Sequence, residues 1–182
     1  CFCGGDHMLM HRVDRRQRQV CIRDSFSGRG SNLKALIEAC EEPGFRGRIA
    51  LVVSNRPGAA GLAVAEAAGV PTAVIDHKEF SMRETFDAEL HRALTKAGVE
   101  LVCNAGFMRI RSDGFVEKWR DRQLNIHPSL LPAFKGLHVH QRALDAGVKI
   151  TGCTVHFVRP EMDEGPIVAQ AAVPVLPGDT AE

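Results

Sequence analysis

From about residue 20 the chain alternates short β-rich runs with longer amphipathic stretches, and few architectures accept that order. IALVVSN (49–55) is a compact strand stopped by Pro57-Gly58, and the Ala-rich AAGLAVAEAAGV (59–70) suits a helix. PTAVID (71–76) reads as a second strand. SMRETFDAELHRALTKAG (81–98) follows with a helix start signal, a capping box of Ser81 with Glu84. Phe86, Leu90 and Leu94 share one face of that helix, and Gly98 ends it. VELVCNAG (99–106) is a strand running into glycine, a helix is expected around 112–119, and RQLNIHP (122–128) is a strand ended by proline. GLHVHQRALDAG (136–147) reads as a helix, and TGCTVHFV (151–158) and PIVAQAAVPV (166–175) as strands. The expected fold class is α/β: a Rossmann-like three-layer sandwich with a mostly parallel sheet and the last two strands added antiparallel at one edge.

The length of 182 residues fits one domain, which should bury about 70% of its unfolded surface. A hydrophobic share of 45% with 25% charged residues is that of a soluble globular protein, and no apolar run approaches the roughly 18 residues of a membrane span. The net charge of +1 and the absence of Tyr argue against a nucleic-acid partner. The six cysteines are scattered; Cys21, Cys103 and Cys153 lie in strand-like runs and read as buried thiols of a reducing compartment, which places the chain in the cytoplasm. At the N-terminus Cys1, Cys3, His7 and His11 stand close together, but no hydrophobic segment supports a metal site there. Residues 1–19 are read as a leader or remnant outside the domain, which covers 20–182.

In open α/β sheets ligands bind beyond the carboxyl ends of the strands, and three segments with chemical potential fall there. SGRGSNL (27–33) is a glycine turn entering a helix, where the backbone N–H groups near Ser31 and Asn32 would face an anion; a plain tight turn is the alternative. In LNIHPSLLP (124–132), Asn125 and His127 alternate with Leu124 and Ile126 and so share one strand face at its exit. An amide donor beside an imidazole suits negative charge developing on a carbonyl oxygen, although a strand-end histidine is often structural. RPEMDEGPIVAQ (159–170) carries three acids, and Asp163 facing His127 would favour the imidazolium; a solvated acidic turn is the bland reading. His138, His140 and His156 are assigned structural places.

In order and spacing, SGRGSNL, VSNRPGAAGLAVA (53–65), AGFMRI (105–110), LNIHPSLLPAFKGLHVHQRAL (124–144) and VHFVRPEMDEGPIVAQAAVPVLPGDT (155–180) resemble the folate-dependent phosphoribosylglycinamide formyltransferases. The resemblance covers about residues 27 to 182. It implies that Gly30, Ser31 and Asn32 bind the phosphate of glycinamide ribonucleotide and that Arg83 contacts the folate. It also implies that Met108, Arg109, Ile110 and Arg111 hold the pterin through their backbone, with Pro160, Glu161, Met162 and Asp163 completing the pocket. Asn125, His127 and Asp163 match the catalytic trio. The co-substrate implied is 10-formyltetrahydrofolate, with no metal, and the protein is expected to be a monomer or weak homodimer.

Two departures stand out. The strand before the glycine turn reads VCIRDSF, with Arg23 and Asp24 where buried residues belong, so that strand is expected to be short and displaced, or divergent. The sequence stops at LPGDTAE, where the family continues into a further helix that contacts the ribonucleotide. Rival readings are a formyltetrahydrofolate deformylase, which shares the NIHPSLLP and D-x-G-P segments, and a non-catalytic nucleotide-binding module. The second would need an acid after its glycine turn, where this chain has Asn55-Arg56.

Overall fold

Seven strands form one sheet in the order β3-β2-β1-β4-β5-β6-β7. The structure is a computed structural model and describes residues 18–24, 30–105 and 111–181. The strands are β1 (Arg18–Asp24), β2 (Gly47–Ser54), β3 (Thr72–Val74), β4 (Leu101–Ala105), β5 (Gln123–His127), β6 (Ile150–Phe157) and β7 (Ile167–Pro174). The first five are parallel; β6 runs antiparallel to β5 and β7 antiparallel to β6, as the sequence pattern implies.

The helices are α1 (Ser31–Glu41), α2 (Ala60–Ala67), α3 (Arg83–Lys96), α4 (Asp113–Lys118) and α5 (Val139–Asp145). Alternation along β2 divides the core. Leu51 and Val53 pack with Phe86 and Leu90 of α3, Phe115 of α4 and Trp119 at its end, whereas Val52 packs with Leu33 and Ile37 of α1. No described helix is long and apolar enough to cross a membrane.

Several expectations change. β1 is neither short nor displaced: it lies at the centre of the sheet, between β2 and β4, with one register shift between Val20 and Cys21. It begins at Arg18, two residues ahead of the expected domain start. The surroundings of the Arg23 and Asp24 side chains, and the whole Cys1–His11 cluster, lie outside the described residues. Ser81 does not cap α3; Met82 is the cap residue, without a side-chain bond, and Thr85 Oγ1 donates to its carbonyl at 2.8 Å. The serine stands one residue too early for its hydroxyl to reach the first helical N–H groups. The stop at Gly98 is a Schellman motif, with Gly98 N–H to Thr95 O at 3.0 Å and Val99 N–H to Leu94 O at 3.0 Å. Helix α5 starts three residues later than the pattern suggests, because Gly136 and His138 hold left-handed conformations (φ 83° and 55°). Cys103 and Cys153, expected buried, are half-buried free thiols, as is Cys40; burial pushes the Cys103 thiol up to about 11.

One buried ion pair ties α3 to the start of α4. Arg111 Nη1 donates to Asp87 Oδ1 at 2.9 Å, and the other carboxylate oxygen accepts Ser112 N–H at 2.8 Å. Both side chains are almost fully enclosed, and the Arg111 guanidinium lies over the rings of Phe86 and Phe115. Asp87→Ala is expected to cost about 3–5 kcal/mol in urea unfolding, because it strands a buried guanidinium. Pairing Asp87→Leu with Arg111→Leu should recover part of that loss.

Candidate active site

The site is built where β5 ends. Alternation puts Asn125 and His127 on the face covered by α3 and α4, and antiparallel register sets Asn125 opposite His156 and His127 opposite Thr154. The His127 side chain is 6% exposed, and each ring nitrogen faces an oxygen: Nε2 lies 2.9 Å from Phe134 O and Nδ1 lies 3.4 Å from Asp163 Oδ2. A neutral imidazole has one N–H, whereas the imidazolium has two and serves both acceptors.

Two loops hold those acceptors. After Pro128, the Thr154 hydroxyl donates to Ser129 O at 2.6 Å and accepts Leu131 N–H at 3.0 Å and Gln170 Nε2 at 2.9 Å. Ser129 Oγ donates to Ala133 O at 2.6 Å, which fixes the turn presenting the Phe134 carbonyl. The second loop follows β6. Gly165 lies so close to Phe157 that a Cβ would stand 1.6 Å from its carbonyl oxygen, and Phe157 N–H donates to Pro166 O at 2.9 Å. That tight return, with Asp163 in a left-handed conformation (φ 56°), brings the carboxylate back over the sheet. Its Oδ2 also accepts Gly136 N–H at 2.9 Å, and Lys135 Nζ pairs with Glu164 at 2.8 Å, so the two loops are joined.

His156, given a structural place from sequence, belongs to this centre. It is 2% exposed; its Nδ1 contacts Phe157 O at 3.0 Å and its Nε2 contacts Asn125 Nδ2 at 3.2 Å. Burial lowers its pKa, outweighing the Phe157 carbonyl and the Asp163 carboxylate, 3.8 Å away, which both raise it. The neutral ring with its proton on Nδ1 leaves Nε2 as an acceptor, which fixes the Asn125 carboxamide and leaves its second N–H for the cleft. No sequence periodicity marks His156; only the β5–β6 register reveals it.

The other predicted residues that are described stand on separate elements. Gly30 (φ 73°) caps α1 without a side-chain bond and packs on Gly61 and Val64 of α2, leaving Ser31 and Asn32 exposed at the helix N-terminus. Arg83 opens into a groove of about 460 Å³ between α3 and α4, whose lining includes Asp87, Ser112 and Lys118 but not Asn125, His127 or Asp163. Met108, Arg109 and Ile110 lie outside the described residues. The Arg111 side chain is engaged with Asp87, and Pro160, Glu161 and Met162 form the approach to Asp163.

Because the folded pKa of His156 lies below the ordinary 6.5, the unfolded chain takes up this proton first as pH falls. The residue's contribution to stability is therefore full above about pH 6.5 and is lost as pH drops through the folded pKa. His156→Gln keeps an acceptor for Asn125 and should flatten the stability profile between about pH 7 and 5, as read by urea midpoints at each pH.

A model of the formyl transferase family, described as "Formyl transferase", matches residues 25–182. The chain is 56% identical over 164 residues to the trifunctional purine biosynthetic protein adenosine-3 of Gallus gallus, a match covering 90% of this chain and 16% of that protein. It thus spans about one sixth of the length of that relative. It is 45% identical to the phosphoribosylglycinamide formyltransferase of Escherichia coli K12, over 86% of this chain and 74% of the relative. The crystal structure of phosphoribosylglycinamide formyltransferase from Brucella melitensis superposes with a TM-score of 0.85 at 52% identity, covering 91% of this chain and 84% of that one. Fold and relatives agree: the chain belongs to the formyl transferase family.

Proposed function

We propose that this chain transfers the formyl group of 10-formyltetrahydrofolate to the amine of 5-phosphoribosylglycinamide, in purine biosynthesis. The observation that carries the reading is the enclosed His127 with oxygen acceptors on both ring nitrogens, beside an Asn125 whose amide is aimed by His156. The glycinamide amine attacks the formyl carbon, and a tetrahedral intermediate forms. Asn125 Nδ2 and protonated His127 stabilise its oxyanion, a charge that exists only along the reaction path. Asp163 holds the imidazolium and helps move the proton from the attacking amine to the departing folate nitrogen. Gly30, Ser31 and Asn32 would take the ribonucleotide phosphate at the α1 N-terminus. Arg83, the 108–111 segment and Pro160–Asp163 would hold the folate.

The relatives named as phosphoribosylglycinamide formyltransferases support this substrate pair. At the exit of β2, where a dinucleotide-binding sheet carries an acid, Asn55 is wholly buried and bonded to His77 at 3.1 Å, which disfavours the nucleotide-binding alternative. The free thiols of Cys40, Cys103 and Cys153 support a reducing compartment, the cytoplasm. The protein is read as a monomer or weak homodimer.

Tetrahydrofolate release, followed with and without glycinamide ribonucleotide, tests the reading. Amine-dependent release is expected; release without the amine would make the protein a deformylase, and no release would remove the catalytic reading. His127→Ala and Asp163→Asn should each lower turnover by about two orders of magnitude or more with the fold intact by circular dichroism. Near-normal turnover in either would sink the assignment. Arg83→Ala should raise the folate KM and leave the ribonucleotide KM nearly unchanged, as steady-state kinetics with each substrate varied in turn would report.

A further inference from the structure

The loop between β5 and α5 holds left-handed backbone at Phe134 (φ 54°), Gly136 (φ 83°) and His138 (φ 55°). Only one of these is a glycine, and a bulky residue adopts that conformation only where its neighbours hold it there. Both oxygens at His127 depend on this loop. Its Phe134 carbonyl lies 2.9 Å from His127 Nε2. Its Gly136 N–H donates at 2.9 Å to Asp163 Oδ2, the carboxylate oxygen that faces His127 Nδ1. A carbonyl only accepts, so Nε2 carries a proton in its contact with Phe134.

The bonds that run to β6 end before this stretch. Thr154 holds Ser129 and Leu131, and Ser129 in turn holds Ala133. Beyond Ala133 the loop carbonyls turn to Arg142 of α5. Its Nη1 donates to Lys135 O at 2.5 Å and, more weakly, to Leu137 O at 3.4 Å. The guanidinium carbon also lies 5.8 Å from the centre of the Phe134 ring. One side chain thus touches Phe134, Lys135 and Leu137, on both sides of the Gly136 amide. Helix stability does not account for this arrangement. The guanidinium folds back past the amino end of α5, where a cation gains nothing from the helix dipole, and Arg142 is itself exposed. The pair of Lys135 with Glu164, which also joins the two loops, is an exposed ion pair and contributes little.

Resting on the formyl-transfer reading, we propose that Arg142 is a positioning residue for that reaction. It acts through His127 and Asp163: by holding the Lys135 and Leu137 carbonyls it keeps the Phe134 carbonyl on the imidazole and the Gly136 N–H on the carboxylate. Ring and carboxylate then stand in one orientation when the tetrahedral intermediate forms.

The test compares the wild type with Arg142→Met, which keeps the stem and removes the donors, and Arg142→Lys, which restores a donor to the same carbonyl. Formyl transfer is measured with each substrate varied in turn, and thermal midpoints are recorded. The imidazole N–H signals of the ligand-free protein are read by nitrogen-edited NMR, with His127→Gln assigning that of His127. Arg142→Met is expected to lower kcat about tenfold or more, with both KM values within about twofold. Its thermal midpoint should stay within about 2 °C, as for a surface substitution. Its His127 Nε2–H signal should shift or vanish by exchange with water, and Arg142→Lys should recover part of both turnover and signal. Wild-type kcat in Arg142→Met overturns the proposal, as does an unmoved His127 signal. A fallen midpoint with kcat and both KM values impaired together marks a purely structural role and overturns it too. An Arg142→Lys variant no better than Arg142→Met removes the donor as the cause. A wild-type protein without amine-dependent turnover overturns the formyl-transfer reading, and the His127 signal then decides by itself whether Arg142 holds the loop.

Discussion

The antiparallel pairing of β6 with β5 is the contact on which the chemistry depends. A parallel sheet that ended at β5 would present Asn125 and His127 at an open edge, free to rotate and fully hydrated. β6 sets His156 against Asn125 and Thr154 against His127, and the chain leaving β6 doubles back at Gly165 to return Asp163. The site is therefore assembled by strand register, which is fixed in units of whole residues, so the geometry is in place before any ligand arrives.

Two histidines that face the same Asp163 carboxylate have different surroundings. His127 meets an oxygen at each ring nitrogen, one of them a carboxylate. His156 has one backbone carbonyl and one amide N–H as its neighbours, and burial keeps it uncharged. Like charges on both rings would repel across the shared Asp163. The two rings thus meet different partners, and His156 serves Asn125 as a fixed acceptor.

Much of this was legible in the sequence because the signals are local. Period-two alternation places Asn125 and His127 on one face; Pro128 ends β5, and the strand–helix order dictates a largely parallel sheet with its antiparallel edge. The losses have equally physical reasons. Arg23 and Asp24 read as unfit for a central strand, yet β1 is central, because backbone pairing on both sides outweighs the composition of its last two residues. Ser81 looked like a cap because a capping box is a pattern of spacing, and a shift of one residue removes its geometry. Asp87 was missed, and His156, read as a partnered strand residue, was left without its partner, since Arg111 and Asn125 are 24 and 31 residues away in the chain.

Thr154 has one hydroxyl proton and two lone pairs, and its contacts with Ser129, Leu131 and Gln170 use all three. The turn between β5 and α5 is in this way bonded to β6 and, through Gln170, to β7. Exposing the Leu131 N–H to solvent requires breaking its bond to the Thr154 hydroxyl on β6. The segment that presents the Phe134 carbonyl to His127 thus belongs to the same cooperative unfolding unit as the sheet, and its rigidity is inherited from the core.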